Sequence, residues 1–148
     1  MPTASRKDHQ AVSFFRVEIE SIDTGSFRKC SGLKSETEIF EYQEGGDNET
    51  VRKLIGPTKA SNIVLTQGFV SDPALFKWRA EIQESGTKTI ARRNGSIVAL
   101  AFDGATEVGR WNFQKAWPVR WEMTEFDAST GQAACEILEL AVERITKG

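Results

Sequence analysis

Histidine and cysteine are scarce in this chain of 148 residues, which has one histidine, His9, and two cysteines, Cys30 and Cys135. A catalytic triad built on histidine and a metal centre with His and Cys ligands are therefore not expected. Two isolated cysteines without a secretion signal predict buried, reduced thiols rather than a disulfide framework. We expect no metal, no cofactor and no catalytic residue.

Long apolar runs and a strong charge of one sign are also missing. No segment approaches the roughly 20 apolar residues that a membrane span requires. The formal net charge of −2 gives no electrostatic footprint for nucleic acid. The polar N-terminus lacks the apolar core of a signal peptide, so we expect a chain made and folded in the cytoplasm. Its length predicts one domain, residues 12–148, after a flexible arm of residues 1–11.

The stretch from Cys30 to Asn48 is β-rich but polar on both sides. It predicts a strand over residues 33–43, bounded by turn residues at Ser31-Gly32 and Gly45-Gly46. One face would carry Lys34, Glu36, Glu38, Phe40 and Tyr42, and the other Ser35, Thr37, Ile39, Glu41 and Gln43. Neither face suits a core, which is typical of a strand with water on one side and protein on the other.

The next segment, residues 44–60, shows no clear periodicity and contains the breaker pair Gly56-Pro57. We predict a long excursion between two strands, and loops of this length are usually functional or bound to a partner. Its acidic side chains precede its basic ones, and its apolar anchors would be hidden only in an assembly. The residues predicted to act there are Glu44, Asp47, Glu49, Val51, Arg52, Lys53, Leu54 and Ile55.

Further β-rich runs predict strands over residues 13–22, 62–69, 96–102, 107–115 and 119–123. Residues 62–69 are expected to return antiparallel to the strand at 33–43. Asp103-Gly104 predicts a tight hairpin. Residues 92–95 predict a turn, and Trp117-Pro118 predicts a bend between two strands.

One helix is predicted after Asp72-Pro73, with Asp72 as the N-cap and Pro73 in the first turn. Leu75, Trp78 and Ile82 lie at i, i+3 and i+7, so they form one apolar stripe. Gly86 would end the helix. We expect the stripe to pack on a sheet.

The C-terminal segment, residues 133–146, fits two structures. Its helix propensity favours a helix. The alternation of Leu138, Leu140 and Val142 with Glu139 and Glu143 suits a strand. The residues alone leave both open.

The carboxylates Glu36, Glu38 and Glu41 could be read as an acid–base pair. Nothing apolar surrounds them in the sequence to favour a protonated carboxyl, so a solvated strand face is the better interpretation. Gly45-Gly46 precedes no predicted helix and so predicts no phosphate loop. We therefore expect a protein that is not an enzyme.

Seven short segments follow one another between residues 12 and 146: FRVEI (15–19), SGL…SETE…EYQEGGDN (31–48), RKL.G.TK (52–59), D.ALF.WR (72–79), RRNGSI (92–97), RWNF..AWP..W (110–121) and DAS…A.EILELA (127–141). Together they resemble the tail-tube proteins of contractile phages. Relatives of those proteins form the inner tubes of phage-tail-like bacteriocins and extracellular contractile injection systems. Residues 84–91 and the N-terminal arm depart from the family's pattern.

The resemblance implies a mainly β fold, a small β-sandwich or barrel of antiparallel strands with one α-helix, assembled as hexameric rings that stack into a hollow tube. In that family two hairpins per subunit line the lumen, and the long loop reaches a neighbouring ring. The resemblance also implies a strand for the C-terminal segment. We expect Lys34, Glu36 and Glu38 to face the lumen, in preference to the face of Ser35, Thr37 and Glu41.

The partners that the resemblance implies are other copies of the chain, a sheath protein, the baseplate hub or spike, tube-terminating proteins, and a cargo of DNA or effector proteins. The chain would be made in the bacterial cytoplasm and assembled into a phage tail or a phage-tail-like particle that can be released. An alternative of a different class is a monomeric β-barrel that binds a small ligand. Sizing chromatography separates the two, because only the first forms rings or tubes.

Overall fold

A computed structural model describes residues 12, 14–22, 27–46, 49–68, 73–85, 92–131 and 134–148. Within them the chain forms nine strands and one helix. In chain order these are β1 (Phe14–Ile19), β2 (Phe27–Ser31), β3 (Ser35–Tyr42), β4 (Arg52–Ala60), β5 (Ile63–Gly68), α1 (Ala74–Ser85), β6 (Arg93–Leu100), β7 (Glu107–Met123), β8 (Cys135–Ala141) and β9 (Arg144–Lys147). The fold is thus mainly β with antiparallel sheets and one helix, as the sequence predicts.

The strands form a seven-stranded sheet in the order β1-β6-β7-β8-β5-β2, with β9 also paired to β7, and a separate two-stranded sheet of β3 and β4. The longest strand, β7, has 17 residues and joins the two halves of the large sheet. Its first half pairs with β6 and β9, and its second half pairs with β8. The predicted division into two strands at Trp117-Pro118 is therefore wrong. The chain bends there through a positive φ of 53° at Lys115 and a register shift between Pro118 and Arg120, without ending the strand.

The core lies between the large sheet and α1. Leu75 and Trp78 of the helix belong to it, Trp78 being 1% exposed, and Ile82 packs against its edge. The Arg93 guanidinium lies 5.8 Å from the Trp78 ring centroid and so covers the ring from the strand side. The apolar stripe of the helix thus faces the sheet.

The turn predicted at residues 92–95 is wrong, because Arg93, Asn94 and Gly95 are the first residues of β6. A Cβ on Gly95 would lie 2.4 Å from the Glu18 carbonyl oxygen and 2.4 Å from Cζ of Phe113. The glycine is therefore needed for close packing between strands rather than for a reverse turn.

The C-terminal segment is extended, so the strand implied by the resemblance is right and the helix favoured by propensity is wrong. Glu136, Leu138 and Leu140 of β8 are buried, while the residues between them are partly exposed. Pairing with β5 on one side and β7 on the other overrides the local preference.

The predicted partner of β5 is also wrong, and Gly32 lies at the point where the partner changes. The sequence predicts that residues 62–69 pair with the strand at 33–43, but β5 pairs with β2 and β8. Gly32 has a φ of +90°, and a Cβ there would lie 2.0 Å from the Asn62 carbonyl oxygen. The antiparallel register continues across Gly32, from Ser31 opposite Val64 to Ser35 opposite Ala60, but the ladder is interrupted there and β3 belongs to the two-stranded sheet.

Several predictions fall outside the described residues. They are the flexible arm at residues 1–11, the cap at Asp72, the helix end at Gly86 and, in the excursion, Asp47.

The close packing at Gly95 predicts that an alanine there destabilises the fold more than an alanine at Gly68 does. Gly95→Ala is expected to lower the free energy of unfolding by about 1–3 kcal/mol, as overpacking does. Gly68→Ala on β5 is the matched control, because a Cβ there meets nothing within 4 Å. Urea unfolding of the unassembled subunit measures both, and equal effects of the two changes would contradict the packing assigned to Gly95.

The buried helix face predicts a large cost for losing its tryptophan. Trp78→Ala is expected to lower the free energy of unfolding by about 3–5 kcal/mol, because it removes a large buried aromatic side chain. Phe76→Ala is the matched control: Phe76 is an exposed neighbour whose ring meets Trp121 edge-on at 4.9 Å. Its loss should cost only about 1 kcal/mol in the same denaturant titration.

Candidate assembly surface

Strands β3 and β4 form a hairpin that stands apart from the large sheet and pairs only with itself. All eight residues of β3 are exposed. The sequence predicts an irregular excursion over residues 44–60, and this is wrong for residues 52–60, which are β4. The Gly56-Pro57 pair does not break the strand, because the two residues occupy an irregularity where the register shifts between Thr37 and Ile39.

The register divides the hairpin into two faces. On one face the cross-strand pairs are Thr37 with Thr58, Ile39 with Ile55 and Glu41 with Lys53; we call it the Thr37 face. On the other the pairs are Glu36 with Lys59, Phe40 with Leu54 and Tyr42 with Arg52; we call it the Glu36 face. A 2.7 Å hydrogen bond between the Thr37 and Thr58 hydroxyls fixes the first face.

Gly56 brings an aromatic ring close to the backbone on the Glu36 face. A Cβ on Gly56 would lie 2.9 Å from Cε2 of Phe40 and 2.8 Å from the Glu38 carbonyl oxygen. The Phe40 ring thus covers the glycine. The irregularity at Gly56-Pro57 is a built feature of the hairpin that any larger residue at 56 would disturb.

The outer half of the hairpin exposes apolar side chains on both faces. On the Thr37 face Ile39 and Ile55 are 61% and 90% exposed. On the Glu36 face Phe40, Tyr42 and Leu54 are about half exposed, and Val51 near the tip is similar. Contiguous exposed apolar area on a small protein marks an interaction site. A two-stranded hairpin is also only marginally stable in water without a further packing surface.

Charges of opposite sign lie across the hairpin from one another. Arg52 lies 3.4 Å from Glu44, and Glu41 is directly opposite Lys53. The acidic start and the basic middle of the segment face each other across the hairpin, which the linear sequence did not reveal. Such exposed pairs contribute little to stability.

The residues predicted to line a lumen lie together on the inner half of the Glu36 face. Lys34 is 3.6 Å from Glu36, and Lys59 is 3.9 Å from Glu38. All four side chains are exposed. The inner half of this face is therefore charged, mixed in sign and open to water.

The base of the Thr37 face rests on the body of the same chain. Ala60 packs against the core, and the Ser61 amide donates to the Lys34 carbonyl at 2.9 Å. Ser35 and Thr58 face Arg144 of β9 across a cleft of about 350 Å³. Further out along this face lie Ile39 and Ile55, which are exposed.

A charged network on the large sheet, missed by the sequence analysis, lies across β1 and β7. Arg110 binds Glu18 at 2.9 Å and Glu107 at 2.8 Å, and Arg16 binds Glu18 at 3.0 Å. The Arg110 hydrogen bond holds the pKa of Glu18 below its usual range, and Glu107 raises the pKa of Arg110. Glu18 and Arg110 are 92 positions apart and meet only because β1 and β7 both pair with β6, so no spacing in the sequence reveals their contact.

The turn between β6 and β7 presents an exposed aromatic side chain. Phe102 is 85% exposed. The neighbouring Asp103 carboxylate accepts hydrogen bonds from the Thr106 hydroxyl and from the backbone amides of Thr106 and Ala105, at 2.5–2.9 Å. These bonds, the Thr106 hydroxyl first, lower the pKa of Asp103 to about 2. The carboxylate is therefore a structural part of the turn.

Other kinds of site find little support in the part of the chain that the structure describes. No group of three or more His, Cys, Asp or Glu residues there could hold a metal ion. No described helix is long and apolar enough to cross a bilayer. Cys30 and Cys135 are reduced and half-buried, and burial raises the pKa of the Cys30 thiol to about 11. A cleft of about 500 Å³ beside Glu18, Ser96 and Asn112 is broad and open rather than enclosed.

Comparisons with known proteins agree on one family. The family model described as T4-like virus tail tube protein gp19 matches residues 12–146. A chain in the cryo-EM structure of the anti-feeding prophage (AFP) baseplate, 6-fold symmetrised, is 26% identical with a TM-score of 0.80, covering 96% of this chain and 97% of that one. No curated protein matches.

Two further solved structures are similar. A chain of the PVC sheath–tube complex, an extracellular contractile injection system in its extended state, is 25% identical with a TM-score of 0.81, covering 95% of this chain and 91% of that one. Hcp1 from Flavobacterium johnsoniae is 15% identical with a TM-score of 0.56, covering 91% and 94% of the two chains. The likeness to Hcp1 shows the shared fold alone.

The Asp103 turn predicts an acid-dependent loss of stability. Because the folded pKa of about 2 lies below the usual 3.8, the carboxylate stabilises the turn above about pH 4, and this stabilisation is lost as the pH falls towards 2. Asp103→Asn should therefore lower the Tm at pH 5, and the difference from the unmodified chain should shrink towards pH 2. Glu125→Gln, in the exposed loop that follows β7, is the control. A Tm difference for Asp103→Asn that does not change with pH would rule out this role.

Proposed function

The chain belongs to the T4-like virus tail tube protein gp19 family, and we propose that it forms hexameric rings that stack into the hollow inner tube of a contractile particle. It is a tail tube protein, of the kind found in phage tails and contractile injection systems. In the proposal the subunit works by assembly and guidance, with no chemical step of its own.

The observation that carries the proposal is the hairpin of β3 and β4. It has its own register and bulge, and among the described residues its outer half exposes apolar side chains on both faces. Exposing Ile39, Ile55, Phe40 and Leu54 to water is unfavourable, so a neighbouring copy that covers them gains hydrophobic stabilisation. A closed ring repeats one such contact around its axis, and a stack of rings repeats another along it.

The predicted role of the excursion in ring stacking stays a proposal, now placed on a hairpin. Glu44, Glu49 and Val51 lie near its tip, and Arg52, Lys53, Leu54 and Ile55 begin β4. Because Arg52 already lies beside Glu44 within the hairpin, we expect apolar contact rather than charge to supply most of the binding free energy. The charges would instead fix the register between copies.

We propose that the inner half of the Glu36 face, with Lys34, Glu36 and Glu38, lines the lumen. Its charges alternate in sign and stay hydrated, so a passing molecule finds no apolar patch to adhere to. At the same level of the opposite face Ala60 packs against the core, which favours the Glu36 face for the lumen.

The proposed partners follow from this arrangement. They are a sheath protein around the tube, a baseplate hub or spike, a terminating protein, and a cargo of DNA or effector proteins in the lumen. The similar chains come from a baseplate and from a sheath–tube complex, which supports partners of the first two kinds. Assembly in the bacterial cytoplasm and release in the particle belong to the same proposal.

The proposal predicts that shortening the hairpin abolishes assembly but not folding. Replacing residues 38–57 by Asn-Gly would join the directly opposite Thr37 and Thr58 through a two-residue turn. No described residue among those removed is buried, so the subunit should fold as before. Electron microscopy should show rings or tubes for the unmodified chain and none for the shortened one.

Folding of the shortened chain is checked by the near-ultraviolet circular dichroism of its buried tryptophan. Normal tubes from a chain that lacks residues 38–57 would rule out the assembly role of the hairpin. An unmodified chain that stays monomeric at high concentration would contradict the tube itself and favour the ligand-binding alternative.

A further inference from the structure

A second apolar surface lies at one corner of the large sheet. It consists of Val12, Phe14 and Phe102, which are all more than half exposed; we call it the corner patch. Phe14 begins β1, and its Cδ2 lies 3.8 Å from the position of a Cβ on Gly104, in the turn that follows Phe102. Phe14 is therefore next to the turn that presents Phe102. The Asp103 hydrogen bonds hold that turn in one conformation.

The position of the Thr37 face favours contact between its outer half and a second copy of the chain. Its base is already seated on the body of its own chain, where Ala60 meets the core and Ser35 and Thr58 face β9. Ile39 and Ile55 lie further along the same face and are 61% and 90% exposed, so they are free to contact a second copy.

We propose that Ile39 and Ile55 of one copy dock on the corner patch of an adjacent copy. The inference rests on the proposed function, because it requires the chain to assemble with itself. The two surfaces differ, so the contact is heterologous: each copy offers a hairpin to one neighbour and a corner patch to another. Such a contact repeats without limit or closes into a ring.

Charges around the two surfaces complement each other. Glu41 and Lys53 lie directly opposite one another, one residue pair beyond Ile39 and Ile55 on the same face. Beside the corner patch are Arg16, two residues after Phe14 on the same side of β1, and Asp103, next to Phe102. Lys53 can meet Asp103 while Glu41 meets Arg16. This pairing would set the register of the contact and exclude a reversed one.

Phe126 provides a matched comparison. It is also an exposed aromatic residue in a loop, 74% exposed. It follows β7, whereas Phe102 precedes it, so the two lie at opposite ends of the 17-residue strand. A neighbour that places Ile55 near one of them cannot place it near the other.

Thiol cross-linking between copies tests the contact. The double variant Ile55→Cys, Phe102→Cys is assembled and treated with a short thiol-to-thiol cross-linker, then run on a denaturing gel. We expect a ladder of dimers, trimers and higher species, because each copy has one introduced thiol for each of two neighbours. The double variant Ile55→Cys, Phe126→Cys should give no ladder. The unmodified chain, which keeps Cys30 and Cys135, is the blank.

Mixing two single variants checks the result with less change to each chain. Ile55→Cys subunits and Phe102→Cys subunits, combined before assembly, should cross-link to dimers only in the mixture. Both positions are exposed, so neither change threatens folding. A ladder that stops at the ring size places the contact within a ring, and a longer one places it between rings; either supports the inference.

Failure of the inference is distinguishable from failure of the proposed function. Rings or tubes in the microscope without a Phe102-dependent cross-link would overturn the docking contact and leave the tube intact. A ladder from the Phe126 pair instead would overturn it equally. Absence of any assembly by the unmodified chain would contradict the tube and the contact together.

Discussion

The close approach of Gly32 to Asn62 determines how this chain is divided. The backbone at Gly32 passes so near the Asn62 carbonyl that a Cβ would lie 2.0 Å from its oxygen, at a φ of +90° that other residues rarely adopt. The chain leaves the large sheet at this crossing and returns to it after β4. Residues before and after the crossing build a core; residues between them build the hairpin. A bulkier residue at 32 would move the hairpin relative to its own body, and every contact that depends on its direction would change.

Local patterns in the sequence predicted the helix and those strands whose apolar side chains alternate regularly or end at a clear turn signal. The alternation in β1, the apolar stripe with Leu75 and Trp78, and the Asp103-Gly104 hairpin each follow from a short period and a turn signal. The errors have a common cause. Gly95 and Gly56-Pro57 look like chain breakers, yet both lie within strands because a neighbour, Phe113 in one case and Phe40 in the other, occupies the space of the missing side chain. The helix propensity of β8 was likewise overridden by two paired strands.

The candidate surface was predictable in part. The sequence identified residues 44–60 as too long for a simple connection, and it grouped Lys34, Glu36 and Glu38 on one face. It could not show that Glu41 opposes Lys53 or that Glu44 meets Arg52, because these pairs depend on a register that includes an irregularity. Nothing in the sequence indicated the corner patch. Phe14 and Phe102 are 88 positions apart and are brought together only through the pairing of β1 with β6.

The continuity of β7 has a mechanical consequence. One strand of 17 residues connects the corner near Phe102 to the loop near Phe126, and it is paired with β6, β8 and β9 along its length. A force applied between those two ends loads the ladder hydrogen bonds in shear, so that many of them resist at once rather than opening one after another. The bend at Lys115 and Pro118 changes the direction of the strand without interrupting this path. The sheet around β7 therefore resists being stretched between these two ends.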